Sequence, residues 1–148
     1  MQSSTTSYDD LINILEREFS LCIDMVTLLQ KEKDVIKGLN TEALDNHLRE
    51  KELVAAKITI CEEVRGKMLQ SLGMPNKTLT EVAAGAGPDY SDRLSSIASR
   101  YKSITHSLTE LHVLNSLLIG KSLSYVRASR NFLKTFGIEP QSRLSLEA

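Results

Sequence analysis

Chemistry in this chain of 148 residues would have to come from a short set of side chains. His47, His106, His112, Cys22 and Cys61 are the candidates for proton transfer, nucleophilic attack or metal ligation. A zinc hydrolase helix carries His-Glu-x-x-His, a di-iron bundle Glu-x-x-His, and a redox or zinc site Cys-x-x-Cys. The sequence contains none of the three. Gly85-Ala-Gly-Pro has two glycines, but no lysine follows it and no strand pattern precedes it, so it reads as a turn rather than a phosphate loop. His112 falls on the flank of a helical stripe, as a rim or core histidine. Both cysteines sit beside apolar neighbours and read as buried free thiols of a reducing compartment. Glu16, Glu18, Glu32, Glu62 and Glu63 read as one solvated face, because paired catalytic carboxylates would need a cleft. The expectation is a protein that is not an enzyme and takes no cofactor or metal.

Composition narrows the partners. Net charge is −1 with 25% charged residues, so nothing favours nucleic acid or an anionic membrane surface. Aromatic residues are 5% and tryptophan is absent, which suits a helical bundle better than a sheet. The opening residues lack a basic segment and an apolar segment, so secretory export is not expected. No apolar run approaches about eighteen residues, so membrane insertion is not expected either.

Periodicity supplies the architecture. From Leu94, alternate steps of three and four reach Ile97, Tyr101, Ile104, Leu108, Leu111, Asn115, Leu118, Ser122, Tyr125, Ser129, Phe132 and Phe136. Ten of these thirteen positions are apolar or aromatic, which marks one continuous helix over residues 90–136 with a coiled-coil-like seam. Ala98, Thr105, His112, Ile119, Val126 and Leu133 form a second row beside it, wide enough for two partner helices. Earlier, Ser7 and Asp10 have capping spacing for a first helix with seam residues Tyr8, Ile12, Leu15, Phe19, Cys22, Val26, Leu29, Lys33 and Ile36. Gly38 stands where a left-handed stop is expected. Asn40 or Thr41 caps a second helix with His47, Lys51, Val54, Cys61 and Arg65 on its seam, and Leu48, Leu53 and Ile60 alongside. Gly73 and Pro75 end it. Thr78 with Glu81 makes a capping box for a short helix, and Asp89 with Asp92 caps the last one.

The expected fold is all-α: an elongated antiparallel three-helix bundle with a long third helix and a short extra helix in the second connection. Residues 1–148 form a single helical domain, with 1–6 and 138–148 flexible and 73–89 a loop carrying the short helix. Stacked up, down and up, the third helix overhangs the others by roughly 15 residues, or some 20 Å, over about residues 122–136. An apolar strip left uncovered there is an association site. Asn115 has two readings: it fixes register inside the bundle, or its amide faces a groove and holds a bound segment. Tyr125, Phe132 and Phe136 are either core against the first helix or a dock for a partner helix.

Three stretches then carry a family resemblance. They are Leu-Glu-Arg-Glu-Phe-Ser-Leu at 15–21 with Leu-Leu-Gln-Lys-Glu-Lys at 28–33, Gly-Leu-Asn-Thr-Glu-Ala-Leu at 38–44 with Arg-Glu-Lys-Glu-Leu at 49–53, and Leu-Asn-Ser-Leu-Leu-Ile at 114–119. In that order and spacing the chain resembles the FlgN-like flagellar export chaperones. The resemblance implies a cytoplasmic chaperone of bacterial flagellum assembly by type III secretion. It would bind the C-terminal helices of the hook–filament junction proteins FlgK and FlgL, prevent their premature association and deliver them to the export gate. Asn115, Leu118, Ile119, Ser122, Tyr125 and Val126 are the residues it implies for partner binding. Phe132 and Phe136 join them from the overhang. The alternative is a self-assembling structural coiled coil, a scaffold or tether, and a weak homodimer is compatible with either.

Overall fold

The computed structural model describes residues 7–135, with the side chains of 122–126, 129–130 and 132–135 left undescribed. Among the described residues it is all helix: α1 (Tyr8–Gly38), α2 (Thr41–Ser71), α3 (Leu79–Gly85) and α4 (Pro88–Thr135). Local chemistry sets the boundaries. Asp10 N–H donates to Ser7 Oγ at 3.2 Å and Ser7 N–H donates back to Asp10 Oδ2 at 3.1 Å, a reciprocal cap for α1. Asn40 Oδ1 accepts from Ala43 N–H at 3.1 Å to start α2, and Thr78 Oγ1 accepts from Glu81 N–H at 3.2 Å to start α3.

Two boundaries differ from expectation. Gly38 stays helical, and the left-handed residue after α1 is Leu39, at φ 50°. The sequence points one residue early because glycine is the usual occupant of that conformation. At the other end of the chain, α4 begins at Pro88 rather than past Asp89. Proline's missing N–H and fixed φ suit a first helical position, and Gly87 at φ 81° supplies the turn before it.

α1 is the central element. It runs antiparallel to α2, joining Glu18 to Arg65 and Glu32 to His47. It runs parallel to α4, joining Asp9 to Tyr90, Leu15 to Tyr101 and Leu29 to Asn115. Among the described residues, α2 and α4 nowhere bring Cα atoms within 8 Å of each other. The bundle is therefore closed only at one end, where α3 packs on α4. There Leu11, Ile12, Leu15, Leu69, Val82, Ala83, Leu94 and Ile97 form the core, and Leu11, Leu15, Val82 and Leu94 are fully buried.

The open geometry overturns part of the double-seam reading. Leu48, Leu53 and Ile60 on α2 are exposed, as is Ile119 in the second row of α4. Each had been given a helix to pack on, and α1 alone cannot cover two faces of both neighbours.

Candidate partner-binding surface

The bundle's interior carries charge as well as carbon. Glu18 and Glu32 are 2% and 3% exposed, so these two leave the solvated face to which the sequence assigned them. Both turn toward α2. Arg65 Nη1 donates to both Glu18 oxygens at 2.9 Å, and its guanidinium lies 5.9 Å from the centre of the Tyr101 ring on α4. Burial pushes the Glu18 carboxyl above its usual range, against the opposing pull of Tyr101 and Arg65.

Glu32 Oε2 meets His47 Nε2 at 2.8 Å and Lys51 Nζ at 2.7 Å. Burial alone would raise its pKa, but the bonds from Lys51 and His47 outweigh that and hold it below 4.5. His47 Nδ1 is buried and has no partner. Cys22 and Cys61 are both buried and free. Burial, with the Glu18 and Glu62 charges, pushes the Cys22 thiol up to about 11, far from the thiolate a nucleophile requires. These groups set helix register and neutralise one another, and no cluster of three His, Cys, Asp or Glu among the described residues could hold a metal ion.

α4 behaves differently along its length. Asn115 is 5% exposed, and its Nδ2 donates to the Leu29 carbonyl at 2.8 Å. Of the two readings of Asn115, the register-setting one describes this geometry, and its amide N–H faces α1 rather than a groove. Leu118 is half-buried and Ile119 is 42% exposed. Ser122, Tyr125, Val126 and Phe132 lie where side chains are outside the described residues, and Phe136 lies outside them entirely. Their backbone through Thr135 is helical.

The register shows where α4 loses its neighbour. Leu29 and Asn115 are 86 positions apart, as are Leu15 and Tyr101. The offset of the Leu29–Asn115 bond, carried forward, sets Gly38, the end of α1, about level with position 124. Beyond it α4 continues for about eleven residues, or roughly 16 Å, without α1 beside it.

Sequence reasoning missed one part of this region. Val113, Leu114 and Leu117 are 51%, 61% and 61% exposed. A signal existed: all three fall between the heptad rows, so once Leu111, Asn115 and Leu118 turn to α1 they must turn out. Val113, Leu114 and Leu117 share one face at steps of one and three, which is suited to packing another helix, whereas the exposed Ile119 lies toward the opposite side of α4.

No helix among the described residues is long and apolar enough to cross a membrane. Neither the curated proteins nor the solved structures give a match to the chain. A match does come from the family described as FlgN protein, over residues 1–136. It spans both the closed end and α4 with its exposed apolar run, and the chain thus belongs to the FlgN family of flagellar export chaperones.

Proposed function

We propose that this chain is a cytoplasmic chaperone that binds the C-terminal helical segments of FlgK and FlgL and brings them to the flagellar export gate. The observation that carries the reading is the run of α4 past the end of α1. The heptad row that faces α1 at Leu111, Asn115 and Leu118 continues in the sequence as Ser122, Tyr125, Ser129, Phe132 and Phe136. A client helix taking α1's place there would lie end to end with it, using one seam for the bundle and then for the partner. Ile119 and Val126 flank that seam. Holding the client as a helix keeps its apolar face from pairing with other copies before export.

The test is light scattering on the eluate of a sizing column, with the protein alone and with the C-terminal helical segment of a junction protein. A stable complex is expected. Tyr125→Asp should abolish it while leaving the thermal midpoint nearly unchanged. Absence of a complex with either client would remove the reading, and a large loss of stability would place Tyr125 in the chain's own core.

A further inference from the structure

The register of the α1–α2 hairpin sets its two cysteines against each other. Glu18 bonds to Arg65 on one side of them and Glu32 to His47 on the other. Cys22 stands one helical turn after Glu18, and Cys61 stands one turn before Arg65. In an antiparallel pair those two steps lead to the same level and the same seam. Both thiols are free and buried, at 6% and 2% exposure. They are also within electrostatic reach, because charge on Cys61 contributes to raising the Cys22 thiol.

Packed helices lie about 8–10 Å apart between axes, and each holds its Cα atoms about 2.3 Å from its own axis. Residues that face each other across the seam therefore have Cα atoms about 4–5 Å apart, near the range of about 4.4–6.8 Å that a disulfide spans. Neither side chain is bulky enough to hold the backbones farther apart.

We propose that Cys22 and Cys61 form a modification site, at which sustained exposure to hydrogen peroxide joins them in a reversible disulfide that clamps α1 to α2. One thiol gives up its proton and its sulfur attacks a peroxide oxygen. The O–O bond breaks, the departing hydroxide takes the proton and leaves as water, and a sulfenic acid remains. The sulfur of the second thiol then displaces that hydroxyl. The S–S bond forms and a second water leaves. Two thiols have lost two electrons, and one peroxide has become two waters. Burial selects this oxidant, since a water-sized molecule enters a seam that a glutathione-sized disulfide does not. Burial and the Glu18 and Glu62 charges keep the Cys22 thiol up at about 11, so the pair reacts slowly at neutral pH and stays reduced until oxidant persists. Among the described residues α1 is the one helix whose Cα atoms come within 8 Å of α2, so the bond secures the seam that holds α2 in place.

Peptide mapping of the full folded chain after incubation with hydrogen peroxide tests the proposal, with free thiols alkylated in denaturant before digestion by trypsin. Peptides 18–31 and 58–65 are expected as one linked species that dithiothreitol separates. The bond closes a loop of about 40 residues, so the oxidised monomer should melt about 10 °C above the same sample after dithiothreitol. That comparison holds any methionine sulfoxide constant. In Cys22→Ser and Cys61→Ser the remaining cysteine should gain oxygen instead, and dithiothreitol should leave the midpoint unchanged. Wild type with both cysteines still alkylated after prolonged treatment overturns the proposal. So do sulfinic or sulfonic acids at both positions without the linked species, a link between chains rather than within one, or an oxidised monomer that melts no higher than its reduced form.

Discussion

The start and the middle of α4 are made of similar residues and stand in opposite surroundings. At its start, Leu94 and Ile97 are 0% and 2% exposed against α1 and α3. Some five turns on, Leu114 and Leu117 are 61% exposed. Hydrophobicity does not distinguish them; the number of neighbouring helices does. α3 and the end of α2 close the bundle at one end, and among the described residues nothing equivalent covers α4 farther along. Burial is thereby concentrated away from the exposed leucines.

The sharpest way to break this comparison is to make matched truncations at the two ends. Leu15→Ala should cost about 3 kcal/mol in urea denaturation, because a fully buried leucine leaves both lost transfer energy and a cavity. Leu117→Ala, at an exposed site, should stay within about 0.5 kcal/mol. Equal losses would mean that the open end is as closely packed as the base.

Glu32→Ala, near the turn that joins α1 to α2, should cost about 2 kcal/mol near neutral pH, since it leaves the buried His47 without its partner. The pH dependence has a defined sign. The folded-state pKa of Glu32 is depressed, so its contribution is full above the ordinary value of 4.5 and lost as pH falls through the folded value. Wild type and variant should therefore converge in stability in acid, as a urea series at descending pH would show. A difference that stayed constant would locate the loss in packing instead.

Asn115→Ala removes the bond to the Leu29 carbonyl nine residues before the end of α1, and should cost about 1 kcal/mol. Amide exchange would then quicken in α4 beyond residue 115 and hold steady near Leu94. The smallest effect belongs to the α1–α2 turn. Leu39→Gly should stabilise by about 0.5 kcal/mol in thermal melts, because φ 50° strains any residue with a Cβ.

Much of the fold was legible because a seam kept at 3.5-residue spacing has one physical reading. The caps at Ser7, Asn40 and Thr78 were legible for a similar reason, since short polar side chains before apolar periodicity satisfy free N–H groups. Glu18 and Glu32 were misplaced because residue type speaks for exposure, whereas their burial depends on what lies across the hairpin. That pairing was within reach. A two-residue connection at Leu39 and Asn40 brings Glu32 opposite His47 and Glu18 opposite Arg65, had the two helices been aligned about the turn. Asn115 lay on the seam from the start, but only the position of the Leu29 carbonyl decides between its two readings. The exposure of Leu114 and Leu117 is not legible from the heptad rows, because both leucines lie between them and hydrophobicity alone marks such residues as core.

The order of elements around α1 also governs how the molecule comes into being. Its side-chain bonds to α2 link residues 15 and 47 positions apart, whereas those to α4 span 81 to 86. The hairpin closes the shorter loops and forms first by that measure. During synthesis α1 and α2 are complete while Ile97, the last buried α4 residue of the core, is still 26 residues away, which takes roughly 1 to 5 seconds at 5–20 residues per second. For that interval Leu15 and Ile12 wait with one flank uncovered. The nascent hairpin is thus the stage at which this protein itself most needs protection from association.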